Sequence, residues 1–83
     1  MSLEMLKNGK KSIGTKQTAK AIEKGLAERV FIAQDADERI LMPIKSLCQQ
    51  SGVAVEMVPS MTELGKACGI EVGAAAAAAL KQL

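Results

Sequence analysis

The sequence contains no histidine, no tryptophan and no tyrosine, and Phe31 is its one aromatic residue. Each absence excludes a class of chemistry. Without histidine there is no side chain whose ordinary titration lies near neutral pH, so the commonest form of general acid–base catalysis is missing. A zinc set is excluded on the same ground. Cys48 and Cys68 are the only cysteines, they stand apart in apolar surroundings, and neither belongs to a CxxC pair. Without several aromatic rings the chain cannot build the stacking platform on which single-strand nucleic-acid binders lay their bases. Long apolar runs are missing as well, the longest being residues 73–80, far too short to span a bilayer. No secretory h-region is present. That predicts a cytoplasmic protein without a Cys48–Cys68 disulfide, each cysteine acting as a small buried hydrophobe.

What is present is enough for one fold. A chain of 83 residues allows one domain, residues 1–83, near the lower limit for a core without disulfides or metal. Hydrophobic residues make up 48% and charged residues 24%, a globular composition. The formal net charge is only +2, so bulk charge does not announce a partner. Its distribution says more. Lys7, Lys10, Lys11, Lys16, Lys20 and Lys24 face only Glu4 and Glu23 in the first third of the chain, which is therefore electropositive. Nothing marks an oligomer, and a monomer is the default for this size.

Helix and strand patterns alternate along the chain. Residues 1–8 read as a short helix with Leu3, Met5 and Leu6 inward, stopped at Asn8-Gly9. Lys11-Ser12-Ile13 is β-compatible. A helix is predicted from Thr15 to Lys24, with Ala19, Ile22 and Leu26 inward and Gly25 as its C′ residue. Val30-Phe31-Ile32 is a continuous apolar run, suited to a strand covered on both faces. Asp35 or Asp37 then caps a helix over residues 37–50, buried along Leu41, Ile44, Leu47 and Cys48. Pro43 either kinks that helix or starts a second segment. Residues 53–58 read as a strand ended by Pro59. Ser60 and Glu63 have the capping-box spacing for a helix over Met61–Ala67, ended at Cys68-Gly69. Ala74–Ala79 is unbroken alanine. Propensity makes it helix, whereas the alternating order of elements leaves room for a last strand.

Two stretches carry candidate function. In Gly14-Thr15-Lys16-Gln17-Thr18-Ala19-Lys20 a strand passes through glycine into a helix, and Thr15 is placed to cap it. Backbone N–H groups at such a helix start attract anions. Lys16, Lys20 and Lys24 recur at i, i+4 and i+8, one row on one face. That row is a donor surface for phosphates and base edges; it is equally the solvated face of an ordinary capped helix. In Gly69-Ile70-Glu71-Val72-Gly73, two apolar side chains lie between glycines. They either tuck into the core or present apolar atoms to a partner. An enzyme would need other groups: Asp35, Asp37 and Glu38 for Mg²⁺, Ser46 or Ser60 as nucleophile. The acidic run is better explained as a strand end and helix cap, so no catalytic residue, cofactor or metal site is expected. A protein–protein adaptor using Ile70, Val72, Met57 and Met61 is the alternative binding reading.

Taken together, Ile13-Gly14-Thr15-Lys16-Gln17-Thr18-Ala19-Lys20, then Gly25, then Val30 to Asp35, resemble the kink-turn-binding ribosomal proteins, the L-seven-Ae and L-thirty-e superfamily. Val58 to Val72, and above all Leu64-Gly65 with Gly69-Ile70, is similar to that family's other signature. The chain looks most like its short, stand-alone bacterial members. The resemblance implies an α/β fold, a three-layer α/β/α sandwich on a mixed four-stranded sheet, with the alanine run as the last strand. It implies recognition of the kink-turn, a sharply bent RNA element with tandem sheared G·A pairs, in the ribosome or in another structured RNA. RNA duplexes ordinarily bury their base edges in a deep, narrow groove, which a kink opens. The resemblance assigns the G·A groove to the Gly14–Lys20 segment, with Gly14, Thr15, Lys16 and Gln17 in it and Lys20 and Lys24 meeting base edges or phosphate, and the unpaired loop nucleotides to Ile70, Glu71 and Val72. Where the family commonly has asparagine and glutamate, this chain has Lys16 and Gln17. Gln17 accepts through a neutral amide oxygen, more weakly than a carboxylate, while Lys16 donates to guanine O6 or N7 or to phosphate.

Overall fold

The computed structural model describes residues 3–81. Helix and strand alternate from the start: α1 (Glu4–Asn8), β1 (Lys11–Ile13), α2 (Thr15–Glu23), β2 (Ala27–Ala33), α3 (Glu38–Ser51), β3 (Ala54–Val58), α4 (Met61–Ala67) and β4 (Ala76–Leu80). The strands form one four-stranded sheet in the order β1-β4-β2-β3. β2 and β3 run parallel, and β4 is antiparallel to both β1 and β2, so the sheet is mixed as expected.

Strand alternation sends side chains to two cores. Phe31, Ala33, Val58, Ala77 and Ala79 face α1 and α4, where Leu6, Leu64, Ala67 and Cys68 meet them. Val30, Ile32 and Ala78 face α2 and α3, where Ala21, Ile22, Leu41, Ile44 and Cys48 meet them. The result is a three-layer sandwich. The sheet separates Cys48 from Cys68, both free and buried, so this fold does not bridge them.

The alanine run is the element where propensity fails. Alanine is the best helix former, yet Ala76–Leu80 is an inner strand and Ala76, Ala77, Ala78 and Ala79 are 0–2% exposed. Its two neighbours supply the hydrogen bonds, and its methyl groups let helices approach from both sides. A strand with branched side chains would hold the layers further apart.

Two expectations need correction. Thr15 is not the cap of α2: the cap is Gly14, at φ 96° and ψ 160°, and no side chain accepts from the first turn. The N–H of Gly14 is drawn to the Ala76 carbonyl at 2.8 Å, so the turn happens at Gly14 and Thr15 already lies in the helix. Few residues other than glycine hold that φ without strain. Leu26 is not inward but 39% exposed, because the chain reverses at Gly25 (φ 73°) before reaching it. The bonds Gly25 N–H to Ile22 O and Leu26 N–H to Ala21 O, at 3.0 and 2.9 Å, make a Schellman ending. Asp37 alone caps α3, its Oδ1 accepting from Arg39 N–H at 2.9 Å; Asp35 instead accepts from Met61 N–H at 2.8 Å and caps α4. Of the two alternatives for Pro43, the structure keeps it inside α3 and starts no new segment there. It sits at an exposed position of that helix, and lacking an N–H it makes no bond to the preceding turn. The Ser60 hydroxyl accepts from Glu63 N–H at 3.1 Å, as the spacing predicts. Helix α1 begins at Glu4, with Leu6 buried and Leu3 and Met5 packed on its edge; Met1 and Ser2 lie outside the described residues.

Candidate nucleic-acid interface

The sheet brings the two candidate stretches to one end of the molecule. β1 finishes at Ile13 and β4 starts at Ala76, side by side, and the Gly14–Ala76 hydrogen bond joins the start of α2 to the chain just beyond the Val72 loop. The segment at Ala75 is pinned on its other side by Ala33 N–H, at 2.9 Å.

On α2 the burial pattern sorts the residues by role. Thr18, Ala21 and Ile22 are buried against the sheet, with Ala19 half-buried beside them. Lys16, Gln17, Lys20, Glu23 and Lys24 are exposed, and Gly14 and Thr15 are half-buried. Lys16 and Lys24 are about 12 Å apart along the axis at 1.5 Å per residue, with Lys20 midway. Lys24 is the last residue of the row, at the C-cap. The other end is open. Thr18 N–H is the first to reach a carbonyl, that of Gly14 at 2.9 Å, so the N–H groups before it have no carbonyl one turn back. With no side-chain cap, this end presents donors in the direction favoured by the helix dipole.

The charges on this face are also uncommitted. Among the described residues the ion pairs lie elsewhere: Arg29 with Glu56 at 3.6 Å, Arg39 with Asp37 at 3.1 Å and Lys45 with Glu38 at 3.1 Å. Both arginines are thereby occupied, while Lys16, Lys20 and Lys24 carry full positive charge into solvent.

The second stretch divides. Ile70 is half-buried and packs on the core with Leu64 and its neighbours. Glu71 is exposed, and Val72 is 71% exposed, the most exposed large apolar side chain among the described residues. So one half of the sequence pattern is core and the other is surface. Glu71, as a carboxylate, only accepts hydrogen bonds.

Sequence reasoning missed two features of this region. Thr18 is fully buried and its Oγ1 has no hydrogen-bond partner among the described residues. Asp35, one of the two candidate caps for the next helix, ties the end of β2 to the start of α4, 26 residues on, which no local spacing encodes.

Three groups have shifted titration, and none of them is a candidate contact residue. The Arg39 side chain, with help from its N–H, holds the Asp37 carboxyl below the usual range. Burial pushes the Cys48 and Cys68 thiols up, offset in part at Cys68 by the Lys11 charge. Raised thiols are poor nucleophiles. Among the described residues no group of three or more His, Cys, Asp or Glu is placed to hold a metal ion, and no helix is long and apolar enough to cross a membrane.

This arrangement has relatives. The model of the ribosomal protein L7Ae/L30e/S12e/Gadd45 family matches residues 3–82. The RNA-binding protein YbxF of Geobacillus stearothermophilus is 48% identical over 82 residues, covering 98% of this chain and all of that one. Large ribosomal subunit protein eL8 of Halobacterium salinarum is 46% identical over 79 residues, 93% of this chain and 66% of its own length. Among solved structures, the Giardia lamblia 15.5kD RNA binding protein superposes with a TM-score of 0.90 at 30% identity, over 98% of this chain and 72% of that one. With residues 3–82 matched by the family model and a 48% identical relative matched over its full length, the chain belongs to the ribosomal protein L7Ae/L30e/S12e/Gadd45 family.

Proposed function

We propose that this protein binds structured RNA, and that its target is the kink-turn with tandem sheared G·A pairs. RNA binding is the property named for YbxF and for the Giardia protein. The observation that carries the reading to this chain is the open start of α2, with Lys16, Gln17 and Lys20 exposed and the lysines free of ion pairs, beside the exposed Val72.

The chemistry divides between the two parts. Gly14 lets the helix start approach RNA closely, and the N–H groups of Thr15, Lys16 and Gln17 face the ligand. Lys16 and Gln17 read base edges, where Gln17 both donates and accepts. Lys20 and Lys24 contact phosphate, giving affinity that falls with salt. Val72, with Glu71 at its side, covers the unpaired nucleotides of the kink; the packed Ile70 supports this tip. Apolar cover of that kind suits a chain without stacking aromatics. The protein acts by population shift. Free RNA exchanges between extended and kinked forms, and the protein stabilises the kinked form by its differential affinity for it and no more. No step calls for catalysis or a cofactor, and one copy of the chain supplies the whole surface. Association with the ribosome follows the eL8 likeness.

The test is a titration of a kink-turn RNA against the same RNA with its G·A pairs replaced. Much tighter binding to the intact element is expected; equal affinity would refute the assignment.

A further inference from the structure

Gly65 is buried in α4, on the side where the following loop returns along the helix. A Cβ at this position would run into the Val72 carbonyl oxygen and stand 3.1 Å from the Val72 carbonyl carbon and 3.2 Å from Gly73 Cα. All three are backbone atoms, so no rotamer change relieves the clash. Gly73 makes the reciprocal approach: a Cβ there would lie 3.0 Å from Met61 Cβ and 3.3 Å from the Met61 carbonyl carbon and oxygen. Two hydrogen bonds fasten the same contact, Ile70 N–H to Gly65 O at 3.0 Å and Ala74 N–H to Met61 O at 3.1 Å. Gly65 and Gly73 both have φ outside the left-handed region, so space is what they provide and not backbone freedom.

We propose that Gly65 is a positioning residue for the RNA contact at Val72. Its missing Cβ lets the loop lie back on α4, and this sets the angle at which the Val72 side chain is presented. The inference rests on the reading of α2 and the Val72 tip as an RNA surface. It separates two effects that usually travel together. Replacing Gly65 by alanine favours the helix itself. The cost falls on the backbone of Val72 and Gly73, which must shift away.

The experiment compares the parent protein, Gly65→Ala, Val72→Ala and the double variant by titration with a kink-turn RNA, each also melted thermally. Gly65→Ala is expected to bind about tenfold more weakly, as Val72→Ala does, when an apolar tip loses its contact. The double variant is expected to match Val72→Ala within about twofold, because the tip that Gly65 positions is already gone. Losses that multiply in the double variant would overturn the proposal, as would parent-like binding by Gly65→Ala. If Gly65→Ala does not fold, Gly73→Ala carries the same cycle, since there the neighbour has to give by only a few tenths of an ångström. A loss that disappears in the Val72→Ala background supports the proposal; no loss, or one that persists, overturns it. The parent's preference for intact over G·A-disrupted RNA is measured alongside. Its absence refutes the RNA-shape reading, and this inference with it. Its presence with multiplying losses refutes the role of Gly65 alone.

Discussion

Replacing Lys16, Lys20 and Lys24 together by glutamine tests whether the α2 row is a phosphate track or a solvated face. All three lysines are exposed, and none is ion-paired among the described residues. Glutamine is as good a helix former as lysine, so stability should move by no more than about 0.5 kcal/mol. Each neutralised phosphate contributes about 0.7–0.9 to the slope of log K against log salt, so the two at Lys20 and Lys24 contribute about 1.4–1.8. Over a rise from about 50 to 200 mM salt, that part of the slope weakens binding by roughly 7- to 12-fold. The parent should lose this factor and the triple variant should not. The substitutions also take the formal net charge from +2 to −1, since three charges are removed from two. Long-range attraction falls with it, so a matched control is needed. Lys7→Gln, Lys10→Gln and Lys81→Gln make the same change in charge, and Lys10 and Lys81 flank the ends of β1 and β4 opposite to Gly14. Fluorescence anisotropy at several salt concentrations reads all three slopes. A slope reduced equally by both triples, or by neither, would refute the track.

Gln17→Ala should weaken binding to intact kink-turn RNA by about 1–3 kcal/mol if Gln17 reads a base edge; unchanged discrimination against G·A-disrupted RNA removes it from that role. Thr18→Val keeps the shape of a fully buried side chain and deletes an unpartnered hydroxyl, so stability to urea should rise by about 1–2 kcal/mol. A loss of similar size would mean the hydroxyl has a partner in solution. Asp37 titrates below its usual value, so its capping charge stabilises the fold above the ordinary aspartate range and is lost as pH falls through the lowered value. Asp37→Asn keeps a cap but has no charge to lose, and its stability should therefore fall less steeply on acidification; superimposable acid profiles would contradict this.

The sequence made the order of elements legible because most of its boundaries are local. Ser60 with Glu63 and Gly25 after α2 act within a few residues, and each is where the pattern placed it. What failed was set by partners distant in the chain. Thr15 has the right chemistry for a cap, but Ala76 draws the Gly14 N–H and moves the turn back by one residue. Nothing local chose between Asp35 and Asp37 as the cap of α3; Asp37 serves it, and Asp35 is drawn to the Met61 N–H. Alanine propensity over residues 74–79 loses to the hydrogen bonds that β1 and β2 offer. Here resemblance succeeded where propensity did not, because a family pattern carries tertiary context. For the candidate site, the α2 face was readable from spacing of i and i+4. The split between packed Ile70 and exposed Val72 was not, since both are apolar and both lie between glycines.

The central claim is that the protein selects a bent RNA. A kink-turn duplex labelled with a donor and an acceptor on its two arms, held in low-salt buffer without divalent ions so that the extended form dominates, measures this directly. Adding protein should raise energy transfer saturably as the arms close, and an RNA without the G·A pairs should show no rise. Saturable binding with no change in transfer, or an equal rise for both RNAs, would contradict the account.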